Sequence, residues 1–172
     1  DVFVINKVDT ANPDDVIAVR ESLFALNPTA QVIEAASPIY VDDFDAIRGK
    51  RVLVVEDGPT LTHGGMAFGA GYVAARRYGA AEIVDPRPFA VGSIIDTYKK
   101  YPGTGKILPA MGYGEQMVRD LEQTINNADV DVVVIGTPID LNRIMKINKP
   151  TQRVRYALEE IGKPTLTDIL QK

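Results

Sequence analysis

The chain has 172 residues, of which 45% are hydrophobic and 24% are charged, and its formal net charge is −4. The composition is that of a globular protein with one or two cores, and the acidic balance argues against nucleic acid as a partner. Because there is no cysteine, disulfides, thiolate nucleophiles and cysteine-ligated metals are excluded. The sequence shows no apolar run long enough for a membrane span and no signal peptide, so we expect a cytoplasmic protein without a membrane partner.

The first part of the sequence predicts two strands on either side of a helix. Residues 2–5 form a short apolar, β-branched run that is typical of a buried strand. Residues 13–26 are predicted as a helix, because Asn12 is a suitable N-cap and the proline after it fits the first helical position. Residues 31–35 are predicted as a second strand, and residues 42–48 as a short helical turn.

The remainder of the sequence alternates strands and helices in the same way. Strands are predicted at residues 51–55, 82–84 and 130–135, and helices at residues 66–78, 91–101, 115–126 and 153–161. This alternation predicts an α/β fold of three layers around a mostly parallel, Rossmann-like sheet, in which ligands bind beyond the carboxyl ends of the strands. We expect two domains, residues 1–48 and residues 49–172.

Asn6, Lys7 and Asp9 follow the first predicted strand directly, and their chemistry suits guanine. A carboxylate at Asp9 can accept hydrogen bonds from guanine N1–H and from its exocyclic amine, a pair of donors that adenine lacks. The Lys7 stem can lie along the base, and Asn6 can brace the loop. The alternative is that Asn6 and Asp9 only shape a strand-to-helix turn.

The Asn-Lys-x-Asp pattern resembles the base-recognition loop of P-loop GTPases. In that family a turn after the next strand directs a backbone N–H at the base, and Ala36 and Ser37 occupy the corresponding place. The family's phosphate loop precedes the base-recognition loop, and this sequence contains no G-x-x-x-x-G-K-[ST] pattern. The resemblance therefore implies that residues 1–48 end a P-loop domain for GTP or ATP with Mg²⁺, whose phosphate loop lies before Asp1.

A second candidate site is the loop after the strand at residues 51–55, which is long for a strand-to-helix connection. Gly64 and Gly65 lie at the predicted start of the next helix, where backbone N–H groups favour an anion. Thr60 and Thr62 add hydroxyl donors. The alternative is that the glycines only permit a tight turn.

Four titratable side chains are candidates for catalysis or metal binding. His63 is the only histidine and suits a general acid or base; the alternative is a helix cap. Glu56 and Asp57 are candidate Mg²⁺ ligands. Arg87 lies between two prolines, and an arginine held in so stiff a segment suits the capture of phosphate or carboxylate; the alternative is a surface turn.

The densest basic stretch follows the predicted strand at residues 130–135. Its members are Arg143, Lys146, Lys149, Arg153 and Arg155. Lys146, Arg153 and Arg155 are candidates for binding a multiply charged anionic substrate. The alternative is that they form a solvated face.

Three long segments carry a more specific resemblance. They read EDGPTLTHGGMAFGAGYVAARRYGAAEIVDPRPFAVGSI, LPAMGYGEQM and VVIGTPIDLNRIMKINKPTQRVRY. They are similar to the cyclic 2,3-diphosphoglycerate synthetase family and to related P-loop proteins described as predicted GTPases. This resemblance implies an ATP-dependent ring closure of a small phosphorylated substrate, with Arg87, Lys146, Arg153 and Arg155 among the cations around the phosphates.

Three functional hypotheses follow from these patterns. The first is a nucleotide-dependent enzyme, a hydrolase or ligase that acts on a small phosphorylated or anionic substrate. The second is a regulatory GTPase whose second domain binds a protein partner. The third is an α/β domain that is inactive by itself. The motif favours GTP, whereas the synthetase family uses ATP, so the sequence does not decide between the two nucleotides. It does not decide whether the protein is a homo-oligomer either.

Overall fold

The structure is a computed structural model, and it describes residues 1–59 and 69–171. The chain has an α/β fold that divides into two compact units. Unit 1 comprises Asp1–Ile39 and Tyr156–Lys172, and unit 2 comprises Tyr40–Arg155. The contacts thus divide the chain after residue 39 and again after residue 155, whereas the boundary at residue 48 stays a prediction.

The bounds of the regular elements are as follows. The strands are β1 (Val2–Asn6), β2 (Gln31–Ala36), β3 (Ile39–Val41), β4 (Arg51–Asp57), β5 (Glu82–Ile83), β6 (Leu108–Ala110), β7 (Val132–Ile135), β8 (Thr151–Tyr156) and β9 (Glu159–Ile161). The α-helices are α1 (Pro13–Leu26), α2 (Ala70–Arg77), α3 (Ser93–Lys100), α4 (Glu115–Asn127) and α5 (Leu166–Leu170). Within the described ranges no helix is long and apolar enough to cross a membrane.

Unit 1 is built on a three-stranded sheet in the order β1-β2-β9. β1 and β2 are parallel, and α1 connects them. β9, which comes from the other end of the chain, pairs with β2 in the antiparallel direction. The start of α1 forms as predicted: the Asn12 side chain accepts a hydrogen bond from the Asp14 N–H.

Unit 2 contains a sheet in the order β3-β8-β7-β4-β5, with β6 also paired to β4. β4 lies parallel to β7 on one edge and parallel to β5 and β6 on the other. After β4 the chain first builds β5 and β6 on one side, and then crosses to build β7 and β8 on the other. The strand order therefore reverses between β4 and β7, which is where ligands bind in open α/β sheets.

The core of unit 2 lies on its two central strands. All four residues of β7 are buried, and so is β4 from Val52 to Glu56. α4 covers one face of the sheet with Leu121 and Ile125, which lie four residues apart and so share one side of the helix. This packing holds the carboxyl ends of β4 and β7 together.

The predicted helix at residues 153–161 is wrong. This segment forms the end of β8 and the whole of β9. β8 pairs in parallel with β7, so that Arg153 lies opposite Ile135, and β9 pairs with β2. Pairing with distant strands therefore decides the conformation, because strand formation depends on the partners that a segment meets in the fold.

Other predicted boundaries also shift. The helix predicted from residue 66 begins at Ala70, since Gly69 is extended, with φ −122° and ψ −163°; residues 66–68 lie outside the described ranges. The segment predicted as a short helical turn at residues 42–48 contains a single turn, in which the Arg48 N–H donates to the Phe44 carbonyl oxygen at 3.3 Å. β6 lies where the sequence predicted neither a strand nor a helix.

Candidate functional site

The Asn6–Asp9 loop lies directly after β1 in unit 1. Lys7 has a φ of 65°, and its N–H donates a hydrogen bond to Asn6 Oδ1 at 2.8 Å. The N–H groups of Thr10 and Ala11 both donate to the Lys7 carbonyl oxygen, at 3.1 and 3.0 Å. The loop is thus a closed turn that leaves the side chains of Lys7 and Asp9 exposed, and Asn6 braces it as predicted from the sequence.

The loop also contacts the turn after β2. Asp9 Oδ1 accepts a hydrogen bond from the Ser37 N–H at 3.1 Å, and the Val8 N–H donates to the Ala35 carbonyl oxygen at 3.2 Å. The two motifs predicted to read a base therefore lie side by side. Ala36, the last residue of β2, lies between the two contacting residues Ala35 and Ser37. The Ser37 N–H donates to Asp9 in this structure, whereas the family resemblance would direct that N–H at the base. A carboxylate has further lone pairs, so Asp9 retains the capacity to accept from a ligand.

In unit 2 the carboxyl end of β4 places Glu56 at the reversal of strand order. The side chain is 3% exposed, and Glu56 Oε1 accepts a hydrogen bond from the Tyr72 N–H at 2.8 Å. Burial raises the pKa of the Glu56 carboxyl, while hydrogen bonds from the backbone N–H groups of Tyr72, Gly71 and Gly69 oppose that rise. These N–H groups belong to the start of α2.

Glycines surround the Glu56 carboxyl group. A Cβ atom at Gly136 would lie 2.4 Å from Glu56 Oε2, and a Cβ at Gly69 would lie 2.5 Å from the same atom. A Cβ at Gly71 would lie 3.1 Å from Oε1. The first two distances are shorter than real Cβ contacts, so a side chain at Gly69 or Gly136 would displace the carboxyl group from its place between the start of α2 and the loop after β7.

A group of polar side chains lies around the carboxyl end of β7, the strand next to β4. Arg153 Nη2 donates to the Pro138 carbonyl oxygen at 2.6 Å, and Arg153 Nη1 lies 3.9 Å from Asp140 Oδ2. The Nε atom of Arg153 is buried and has no hydrogen-bond partner in the described part of the chain. Thr137 is buried, and its Oγ1 lies 3.3 Å from the Tyr113 hydroxyl oxygen. A buried donor without a partner is rare in proteins, so this arginine has capacity for a ligand or water.

The other predicted cations do not join Arg153. Arg87 forms a bidentate pair with Asp85, in which Nη2 donates to Oδ2 at 2.6 Å and Nε donates to Oδ1 at 2.9 Å. This pairing lowers the pKa of the Asp85 carboxyl. Arg155 Nη2 donates to Asp42 Oδ2 at 2.6 Å. Both guanidinium groups are therefore engaged by a carboxylate within their own unit.

Lys146 lies at the opposite end of the sheet from Arg153. Its N–H donates to Glu122 at 3.0 Å, and its carbonyl oxygen accepts from the Asn126 side chain at 2.9 Å. Asn126 is near the end of α4, just before β7 begins, whereas Arg153 adjoins the end of β7. The basic stretch is continuous in sequence but does not form one cluster in space. The chain runs along the strand direction between Lys146 and Arg153, so the two residues lie at opposite ends of the strands.

Several predicted site residues lie outside the described ranges, namely Thr60, Thr62, His63, Gly64 and Gly65. Of the candidate Mg²⁺ ligands, Glu56 is surrounded by N–H donors and glycine, which suits a hydrogen-bond acceptor rather than a metal ligand. Among residues 1–59 and 69–171 no group of three His, Asp or Glu side chains could hold a metal ion. Gly136 and Tyr113 were missed as site residues, since only the strand order brings them to this edge.

Comparison with known proteins gives one informative relative. No protein-family model matches the sequence. The chain is 66% identical, over all of its 172 residues, to a protein named arginine synthetase ArcE from Thermococcus kodakarensis. Those residues cover 38% of that relative, so the chain spans well under half of its length. The relative's name differs from the cyclic 2,3-diphosphoglycerate synthetase family that the sequence motifs resemble, but both names denote synthetases.

Proposed function

We propose that the chain is part of a nucleotide-dependent synthetase. The observation that carries this proposal is the 66% identity to arginine synthetase ArcE, which extends over the whole chain. The proposed fold of unit 2 is a three-layer, Rossmann-like domain, and unit 1 is proposed to be the end of a P-loop nucleotide-binding domain. Because the chain covers 38% of that relative, we propose that the phosphate loop belongs to the rest of the protein and expect the 172 residues alone to be inactive.

In this proposal the nucleotide activates the substrate. A substrate oxygen attacks the γ-phosphorus, the bond between the β,γ-bridging oxygen and the γ-phosphorus breaks, and the nucleoside diphosphate leaves. A nitrogen nucleophile then forms a bond to the carbon that carries the phosphorylated oxygen. The bond between that carbon and that oxygen breaks, inorganic phosphate leaves with the oxygen, and the nitrogen loses a proton to solvent. Mg²⁺ bound to the nucleotide would neutralise charge on the phosphates.

Arg153 is the proposed contact for the anionic group of the substrate. It lies on β8 opposite Ile135, the last residue of β7, and its guanidinium group donates to the Pro138 carbonyl oxygen. Its inner Nε lacks a partner in the described part of the chain. The name of the relative suggests a substrate of amino-acid size, whose carboxylate a guanidinium group binds well. The resemblance to cyclic 2,3-diphosphoglycerate synthetase suggests a phosphorylated substrate instead.

Running the reaction backwards distinguishes these substrates. The whole protein is incubated with nucleoside diphosphate, phosphate and Mg²⁺, and nucleoside triphosphate formation is measured with and without arginine. We expect arginine to drive triphosphate formation and Arg153→Gln to reduce it by about 100-fold or more. Arg143→Gln, a change to an exposed arginine nearby, is the matched control. Absence of any arginine effect, together with turnover stimulated by 2,3-diphosphoglycerate, would contradict the arginine substrate.

Asp9 is proposed to read the base of the nucleotide, with Lys7 along its face and Asn6 bracing the loop. The contact between Asp9 and the Ser37 N–H supports this assignment. Asp9→Asn keeps an oxygen for Ser37 but removes the charge, so the preference for GTP over ATP should fall by about 100-fold. Asp15→Asn, on the exposed first turn of α1, is the control. An unchanged preference in Asp9→Asn would remove the base-reading role and leave the synthetase proposal standing.

A regulatory GTPase is the second candidate, and the same contact between Asp9 and Ser37 favours it. In that case turnover is slow and independent of arginine, and the GTP and GDP states differ in affinity for a protein partner. Measuring partner capture by the whole protein in both nucleotide states separates this candidate from the synthetase.

A further inference from the structure

The Glu56 carboxyl group lies where many α/β proteins bind the phosphate of a ligand. In such proteins the phosphate sits after a strand at the reversal of strand order, on the N–H groups that begin the following helix. Glu56 lies one residue before the end of β4 at this reversal, and its carboxyl group accepts hydrogen bonds from N–H groups at the start of α2. The N-cap residue Gly69 offers no side chain to those N–H groups.

The carboxyl group is held as a ligand would be held. Glu56 Oε1 accepts from the Tyr72 N–H at 2.8 Å, and the side chain is only 3% exposed. Gly69, Gly71 and Gly136 lie around it, and a Cβ at Gly69 or Gly136 would displace it. A phosphate placed on the same N–H groups would occupy the volume of this carboxyl group.

We propose that Glu56 is a resident anion that keeps the first-turn N–H groups of α2 closed to phosphate, so that this edge of unit 2 selects a substrate group without a phosphate. This inference deepens the proposed function, since it treats the edge beside Arg153 as the substrate edge. It argues against a phosphorylated substrate that binds through the first-turn N–H groups of α2, and leaves Arg153 as the contact for an anionic group. The phosphates of the nucleotide would then bind elsewhere in the protein.

The electrostatic consequence is large. Two unit negative charges about 4 Å apart near a protein surface repel strongly enough to weaken binding by on the order of 100- to 1000-fold. Removing the carboxyl group should therefore both vacate the volume and end the repulsion. Glu56→Ala is expected to gain an affinity for small anions that the unchanged protein lacks.

The test measures anion binding by the whole protein and not its activity. The melting temperature of wild type and Glu56→Ala is followed while acetate or inorganic phosphate replaces chloride at constant ionic strength. Glu115→Ala is the matched control, because Glu115 also places a carboxyl group at the start of a helix but its side chain is 90% exposed. We expect both anions to raise the melting temperature of Glu56→Ala alone, with dissociation constants at least about 100-fold lower than for wild type.

The binding is located by amide NMR. In Glu56→Ala, acetate should shift the N–H signals of Gly71 and Tyr72, whose positions at the start of α2 define the site. If Glu56→Ala fails to fold in chloride, replacing the chloride with acetate at the same ionic strength should restore folding, because acetate supplies the missing carboxyl group. A folded Glu56→Ala that gains no anion affinity, or an unfolded one that acetate does not rescue, overturns the proposal.

This result is independent of the synthetase reaction. Binding of phosphate to the N–H groups of Gly71 and Tyr72 in the wild-type protein would also contradict the proposal that Glu56 keeps these groups closed to phosphate. Neither outcome depends on arginine-driven triphosphate formation, so failure of this inference and failure of the proposed function are distinguishable.

Discussion

Units 1 and 2 both alternate strands and helices, yet they bury very different amounts of apolar surface. In unit 2 the central strands β4 and β7 are buried along nearly their whole length, and α4 buries Leu121 and Ile125. In unit 1 the 14-residue helix α1 has no buried residue. Its Phe24 and Leu26 side chains are 49% and 78% exposed.

This difference shows that a strand–helix pattern does not by itself determine stability. The free energy gained from burial scales with the apolar area removed from water, so unit 2 holds most of the stabilising surface. The loop from Asn6 to Asp9 depends instead on hydrogen bonds to its own backbone and to the turn at Ser37. Unit 2 is thus a scaffold with its own core, whereas the candidate base-binding loop belongs to the unit with little buried surface.

The largest effect expected from this comparison is in the core of unit 2. Leu53 is fully buried, so Leu53→Ala should lower the free energy of unfolding by about 2–5 kcal/mol. Phe24→Ala, in the exposed face of α1, should cost less than about 1 kcal/mol although it removes a larger side chain. Urea unfolding of both variants measures the difference. Equal losses would show that α1 is covered in the whole protein.

A smaller effect is expected at Lys7, because a residue with a side chain is strained at a φ of 65°. Lys7→Gly should raise the free energy of unfolding by up to about 1 kcal/mol while weakening nucleotide binding. Lys7→Ala is the control, since alanine removes the stem and the charge but keeps the backbone strain. Calorimetry with and without nucleotide separates the two effects. A Lys7→Gly protein no more stable than Lys7→Ala would contradict strain at this loop.

The smallest effect is expected in the pH dependence of the free energy of unfolding. Burial raises the pKa of the Glu56 carboxyl and the N–H hydrogen bonds lower it, so the two causes partly cancel. The pKa of Glu56 in the folded state is raised above the ordinary value of 4.5. The folded protein therefore holds this proton more tightly, and stability is lost as pH rises from about 4.5 through the folded pKa. Glu56→Gln has no carboxyl group to titrate, so its stability should not show this loss with rising pH. Unfolding curves for both proteins at several pH values measure it, and parallel pH profiles would contradict it.

Much of the fold was predictable because its signals are local. The apolar runs of β1, β4 and β7 identify buried strands, and Asn12 followed by proline marks the start of α1. The segment at residues 153–161 was predicted as a helix because its residues favour one in isolation. Its strand partners, β7 and β2, lie far away in sequence, and no local pattern reveals them.

The candidate site was predictable to a similar degree. Asp9 lies beside the turn at Ser37 because both follow neighbouring parallel strands, whereas the base-reading role of the motif stays a prediction. The role of Glu56 was not predictable, because a carboxylate after a strand also suits Mg²⁺. The distinguishing signal is a set of glycines at positions 69, 71 and 136, and these converge only once β4 and β7 are known to be neighbours.

The return of the chain to unit 1 has a consequence for biosynthesis. β2 is complete once residue 36 has been made, but its antiparallel neighbour β9 begins only at Glu159. A chain emerging from the ribosome therefore finishes the strands of unit 2 while one side of β2 has no hydrogen-bonding neighbour. A ribosome stalled before Glu159 would release a polypeptide with an open strand edge, a surface that invites self-association.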